Sequence, residues 1–338
     1  MGIWSLALSE SVTMPEHKKL ILGVDLGGTK IATALATAQG EILGQEYSPT
    51  PAQAGPDAVI SSIFEAIEKT ITLGKVELSQ LLGIGIAAAG IIDCDNGKVI
   101  FSPNLPGWNE VPLRDAVEQK FSVPTYLGND ANLAALGEWR FGVKRKVANL
   151  IYITVSTGIG GGIIADGKLY TGACGTAGEV GHMTIDVNGP LCNCGNVGCW
   201  ESLASGTALV RETVKQINQG AHTSIVELVN GDMSKIDGKV VSLAAEQGDE
   251  LAKKLISRLG YYFGVGLANL VNIFNPELIL IGGGLAKMGD LLLKPAINVV
   301  MEKAFKTSAN SVKIKPALLG DDSGVLGAVA LVLEQSAR

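Results

Sequence analysis

The chain has 338 residues, of which 47% are hydrophobic and only 5% aromatic, with a formal net charge of −6. That length allows large, mainly aliphatic cores and two domains, and the acidic balance argues against nucleic acid or an anionic membrane as a partner. The uncharged stretch 147–165 contains STGIGGG, which is too polar and flexible for a bilayer span.

The opening MGIWSLALSE has no basic n-region, so no signal peptide is expected, and residues 1–18 read as an N-terminal extension. An odd number of cysteines without a secretion signal points to a reducing, cytoplasmic setting. The first strong element is KLILGVDLGGTKIATALATAQGEIL at 19–43. An apolar run carries Asp25, a Gly-Gly-Thr turn follows, and two further strands complete a meander. Residues 55–73 keep helical spacing through Val59, Ile60, Ile63, Phe64 and Ile67. LLGIGIAAAGIID is a buried strand running into a glycine loop, VPLRDAVEQKF a helix, and VPTYLGND a strand ending in Asn129 and Asp130.

At Asn149 a similar plan begins again, with strand, glycine turn and strand in NLIYITVSTGIGGGIIADGKL. The echo suggests a duplicated α/β unit. Helix is expected over 248–272, then a buried strand and triple-glycine turn in PELILIGGGLA, then a final amphipathic helix in DDSGVLGAVALVLEQ.

Three glycine turns therefore follow apolar strands: DLGGTK at 25–30, STGIGGG at 156–162 and GGG at 282–284. Glycine lets backbone N–H groups approach a phosphate closely, although tight hairpins would also explain each turn alone. None matches a P-loop, and none makes a convincing dinucleotide fingerprint. Asp25 and Asp130 lie at strand ends, where side chains reach a ligand cleft. Such a carboxylate can accept a hydroxyl proton or hold Mg²⁺ through water. Asp130 serves equally well as the cap of the helix that follows it.

The segment EVGHMTIDVNGPLCNCGNVGCWES concentrates His182, Cys192, Cys194 and Cys199. A disulfide between Cys192 and Cys194 would be strained, and no C-x-x-C redox pair is present. Three thiolates and an imidazole make the closed tetrahedral set of a structural zinc. Cys94 and Cys174 read as buried or half-buried thiols, and Trp200 as a packing residue.

GVDLGGTK, SPNLPGW, GNDAN, TGIGGG, AGEVGH, CNCGNVGCWES and LIGGGL together resemble the sugar kinases of the ROK family, from about Lys19 to the end. The nearest resemblance within it is to bacterial-type glucokinases. The resemblance implies a duplicated hexokinase/actin-like (ribonuclease H-like) α/β fold, with two domains around a cleft. They would be 19–128 with about 322–338, and 129–321 with the zinc-bound loop. It implies ATP and Mg²⁺, with Asp25 near the metal and Gly27, Gly28, Thr29 and Lys30 forming the first phosphate turn. Thr157 and Gly158 would form the second, and Gly282 and Gly283 would line the adenosine pocket. Asp130 would be the general base on the sugar 6-hydroxyl. Asn104, Asn129, Glu179, His182 and Glu201 would join it in binding the sugar. His182, Cys192, Cys194 and Cys199 are the family's zinc motif.

The activity so implied is ATP-dependent phosphorylation of glucose, in a homo-oligomer of two or four chains. Ser156 stands where many members have Gly, Gly128 where many have Glu, and IAAAGII lacks a proline often found there. N-acetylmannosamine, N-acetylglucosamine or fructose are alternative sugars, and a non-catalytic sugar sensor or a ROK transcriptional regulator are alternatives of another class. The residues before Leu20 are too few for a helix-turn-helix.

Overall fold

A computed structural model describes residues 20–337; the expected extension at 1–18 lies outside them. The first sheet holds β1 (Leu20–Leu26), β2 (Lys30–Thr37), β3 (Ile42–Pro49) and β4 (Leu81–Ala88). A small antiparallel sheet follows, of β5 (Ile91–Asp93), β6 (Lys98–Phe101) and β7 (Asn109–Val111). β8 (Thr125–Asn129) then returns to the first sheet, whose order is β3-β2-β1-β4-β8. The second sheet is built from β9 (Leu150–Val155), β10 (Ile159–Ala165), β11 (Lys168–Leu169), β12 (Leu278–Gly282) and β13 (Lys313–Pro316), in the order β11-β10-β9-β12-β13.

The two large sheets repeat one plan. β1, β2 and β3 form an antiparallel meander, and β4 and β8 add in parallel to β1. β9, β10 and β11 do the same, with β12 and β13 added in parallel to β9. This is the duplicated hexokinase/actin-like α/β architecture expected from the sequence. Each glycine turn joins the first two strands of its meander, so both turns sit at corresponding corners of the two sheets.

Helices cover both units. Pro56–Gly74 and Leu113–Phe121 pack on the first sheet, in a core that includes Val59, Ile63, Val117 and Ile84. The 25-residue helix Glu250–Phe274 anchors the larger core on the second, with Trp200 stacked on Phe263 at 5.3 Å. Trp200 is wholly buried, as its packing assignment requires.

The helices Asp130–Gly137 and Ser323–Ser336 lie together between the sheets. Their backbones touch at Gly137 and Gly327, where an added Cβ on Gly327 would come 1.9 Å from the Leu133 carbonyl. Ser323–Ser336 also lies on β1 and β4, against Gly23 and Gly85. It is buried on nearly every face rather than amphipathic as the sequence suggests, because it is sandwiched between the two units. Leu113, not Val111, begins the second helix, because Val111 is taken by the small sheet. No helix among the described residues is long and apolar enough to cross a membrane.

Candidate active site

The cleft floor is set by β1, β8 and the starts of two helices. β8 ends at Asn129, and Asp130 is the first residue of the following helix rather than the last of a strand. The cap is Asn129, whose Oδ1 accepts from the Asn132 N–H at 3.0 Å while its Nδ2 donates to the Gly90 carbonyl at 3.1 Å. Asp130 uses only Oδ1, which accepts the Ala131 N–H at 2.8 Å. The competing assignment of Asp130 as the helix cap thus fails, and its second oxygen is available for chemistry.

Asp25 comes off β1 close enough to Asp130 for the two carboxylates to repel. Burial, reinforced by the Asp130 charge and opposed by Lys30, pushes Asp25 up to about 7. Burial also raises Asp130 above the ordinary carboxylate range, opposed by the N–H bonds it accepts. The N-terminal turn of Ser323–Ser336 closes over Asp25, and a Cβ on Gly324 would lie 2.4 Å from its Oδ2. A side chain at 324 would displace the Asp25 carboxylate, a constraint that a lone glycine in the sequence did not announce.

The first turn is tied by Gly27 N–H to the Lys30 carbonyl at 3.0 Å and by Thr50 Oγ1 to the Gly27 carbonyl at 2.8 Å. Gly28 packs directly under Asn104, where a Cβ would come 2.8 Å from the Asn104 Cβ. Thr29 and Lys30 are exposed, and Lys30 Nζ sits over the Tyr47 ring at 4.4 Å.

The second turn is held from below by the segment after Cys199. Glu201 Oε2 accepts the Ile159 N–H at 2.9 Å and fills the space a side chain at Gly158 would need. Gly206 N–H donates to the Ser156 carbonyl at 2.7 Å, and Thr207 Oγ1 to the Thr157 carbonyl at 2.8 Å. Beside it opens a cavity of about 650 Å³, bordered by Thr157, Lys239, Leu243, Gly284, Leu285 and Met288. Gly283 has φ +87° and backs onto the Val155 carbonyl, while Gly282 faces Tyr152, so the triple glycine reaches this cavity through Gly284. The first turn, Gly27 to Lys30, does not line it. Thr207 and Lys239 escaped the sequence reading because no short motif marks them, and Gly284, not Gly282 or Gly283, is the member of the triple glycine that lines the cavity.

Glu179 and His182 open toward the cleft, with His182 Nε2 3.9 Å from Glu179 Oε2. Glu179 is raised by burial and by the charges of Asp130 and Glu201, and lowered by His182. These groups therefore converge on one space. The other ring nitrogen of His182, Nδ1, faces Cys192 Sγ at 3.8 Å, and Cys194 and Cys199 Sγ are 3.6 Å apart. All four donor atoms lie within 4.8 Å of one another. Tetrahedral zinc with bonds of about 2.3 Å to sulfur sets neighbouring ligands about 3.8 Å apart, so the donor set fits that ion. Burial pushes the Cys199 thiol up to about 12 and raises Cys192, while the Asn196 N–H lowers Cys194. A divalent cation would overcome the burial penalty by coordinating the thiolates. Cys94 and Cys174 are exposed, not buried, because both lie on surface loops.

The ROK family model matches residues 21–335. A xylose repressor of Caldicellulosiruptor bescii is 39% identical over 313 residues, covering 93% of this chain and 78% of that protein. A glucokinase of Halalkalibacterium halodurans is 38% identical over 315 residues, covering 93% and 95%. The crystal structure of a ROK family glucokinase from Streptomyces griseus, in complex with glucose and AMPPNP, superimposes with a TM-score of 0.82 at 36% identity, over 93% of this chain and 99% of that one.

Proposed function

The chain belongs to the ROK family, and from that premise we propose that it is a glucose kinase, transferring the terminal phosphoryl group of ATP to the sugar 6-hydroxyl. The observation that carries this reading is the convergence of Asp130, with one free carboxylate oxygen, and the sugar-facing Glu179 and His182 beside two glycine turns.

Phosphoryl transfer needs positioning and charge neutralisation more than covalent help. Asp130 would accept the 6-hydroxyl proton as that oxygen attacks in line. Asn104, Asn129, Glu179, His182 and Glu201 would hold the other hydroxyls, and a hexose lacking one would leave a buried polar group unpaired. Gly27, Gly28, Thr29, Lys30, Thr157 and Gly158 would border the phosphates, with the adenosine in the cavity beside Gly283 and Gly284. Mg²⁺ supplies charge neutralisation at the phosphates when bound, with Asp25 as the nearby carboxylate. His182, Cys192, Cys194 and Cys199 would hold zinc in a structural role, which would fix the His182 tautomer with Nε2 toward the sugar. The division into 19–128 with 322–338 and 129–321 lets the units close over the sugar and exclude water. A cytoplasmic homo-oligomer completes the proposal.

The test is ATP·Mg²⁺-dependent phosphorylation of glucose, mannose, fructose, N-acetylglucosamine and N-acetylmannosamine. The highest kcat/KM is expected for glucose. Preference for an acetylated sugar would overturn the substrate and keep the kinase. The similarity to a xylose repressor favours a second reading, a sugar-responsive regulator; sugar binding without turnover of any member of the panel would put it first.

A further inference from the structure

The candidate active site lies where β12 ends, and a second cavity lies where it begins. This second cavity has a volume of about 650 Å³, the same as the one beside Thr157. Leu278 lines it, whereas the triple-glycine turn begins at Gly282, where the strand ends, and four residues of strand span about 13 Å. The two cavities therefore open at opposite ends of the parallel strands.

Four lysines surround the second cavity: Lys144 and Lys146 from the loop after Gly142, and Lys313 and Lys315 from β13. Lys313 and Lys315 share a strand face because Ile314, between them, turns into the core. Lys144 and Arg145 both have left-handed backbones, with φ +54° and +55°. That strained pair sends Arg145 to Glu334 and leaves Lys144 and Lys146 at the cavity. Among the described residues none of the four lysines has a carboxylate partner. One carboxylate, Glu277, reaches the lining, and its Oε1 already accepts the Ala148 and Asn149 N–H groups at 2.7 and 3.0 Å. The floor is apolar, from Val143, Val147, Leu278 and Leu280.

Four like charges around one concavity repel each other, in a chain whose net charge is −6. Lysines on an exposed edge strand can serve only to prevent edge-to-edge pairing. That explains Lys313 and Lys315 but not Lys144 and Lys146, which reach the cavity from a separate loop. We propose that this cavity is a second ligand site, for a small phosphorylated anion whose body rests on the apolar floor and whose phosphates meet the four ammonium groups. Its volume suits a small-molecule ligand. Leu318, on its rim, donates its N–H to Glu138 Oε2 at 3.0 Å, and Ser323, which begins the helix over Asp25, donates to Oε1 of the same carboxylate at 2.8 Å. An occupant would thus touch the segment leading into the cleft.

The test is calorimetric titration with inorganic pyrophosphate, comparing the wild type with Lys144→Gln/Lys146→Gln and Lys313→Gln/Lys315→Gln. Any pyrophosphate bound in the cleft is common to all three, and unchanged kcat/KM for glucose and ATP shows that the variants are folded. The wild type is expected to bind one equivalent more than either variant, with affinity at that site falling from 50 to 200 mM salt as the ammonium charges are screened. Equal stoichiometry in all three would overturn the site. So would loss of the extra equivalent in the edge-strand variant alone, accompanied by aggregation.

Discussion

Replacing Asp130 by Asn separates catalysis from stability, because the two effects have opposite signs. Asn129 supplies the helix cap, so the substitution leaves the local fold in place. The amide oxygen can still accept the Ala131 N–H, now made by Oδ1, and the amide can still bond a sugar hydroxyl. What is lost is a proton acceptor. General-base removal lowers kcat by about 10²–10⁴-fold, or about 2.7–5.5 kcal/mol of barrier, while KM for glucose should change by less than about threefold. Stability should rise. The move of Asp25 from 3.8 to about 7 corresponds to a gross penalty of about 4 kcal/mol for its charged form. Burial is the larger cause and Asp130 the second, so removing the Asp130 charge relieves the smaller share of it. Asp25 is raised in the fold, so between pH about 4 and 7 the native state holds more protons than the unfolded chain, and stability falls as pH rises through that window. The gain from Asp130→Asn should therefore be absent near pH 4, grow toward pH 7 and stay constant above it. The assays are coupled-enzyme kinetics and thermal unfolding from pH 4 to 8 in nucleotide- and Mg²⁺-free buffer, where a higher Tm is expected at pH 8. A variant retaining kcat within tenfold of wild type would refute the base, and a lower Tm at pH 8 would refute the electrostatic reasoning.

Cys194→Ser should lose the zinc that elemental analysis is expected to find at one equivalent per wild-type chain, and KM for glucose should rise about 10–100-fold; a zinc-free variant with normal KM would remove the metal from sugar binding. Gly283→Ala puts a Cβ 2.4 Å from the Val155 carbonyl at a position with φ +87°, so it should lower stability by about 2 kcal/mol and raise KM for ATP more than KM for glucose. Steady-state kinetics with each substrate varied read that ratio. Glu201→Ala removes the acceptor of the Ile159 N–H and should raise KM for ATP as well as for glucose, whereas Glu201→Gln should restore the ATP value to within about threefold. Equal ATP kinetics in both variants would show that this bond does not set the second turn.

Local signals in the sequence were strong where one residue type answers one backbone need. Both glycine turns, the first meander, the first two strands of the second and the Cys and His positions of the donor cluster were readable, because apolar runs bounded by glycine turns and four closely spaced donors leave few alternatives. Asp130 was readable as a candidate but not as free of capping duty, since Asn129 and Asp130 are equally good caps on paper and only the observed bonds decide. Contacts between distant segments were not legible. Glu138 is wholly buried, and its carboxylate accepts from Leu318 N–H, Leu319 N–H and Ser323 Oγ. Nothing near residue 138 indicates partners some 180 positions away. The final helix was misread for a related reason: its charge-free run has no polar face to display, because both its sides are covered.

One short segment explains why a metal loop belongs in this cleft. Cys199 ends the donor cluster, Trp200 locks beneath it on Phe263, and Glu201 turns one oxygen to the second glycine turn. Ser205 then caps the next helix through the Ala208 N–H, and Gly206 and Thr207 take the two carbonyls of that turn. Nine consecutive residues thus connect the Cys and His donor cluster, the Glu201 carboxylate and the second glycine turn. A loop this polar, with three glycines among residues 189–198, has little apolar area with which to fix its own shape. A closed tetrahedral site would do so without occupying the cleft, and the stiffness it conferred would pass along the buried Trp200 to the second glycine turn. On the proposed function, a metal held there would be close enough to orient His182 and would leave proton transfer to Asp130.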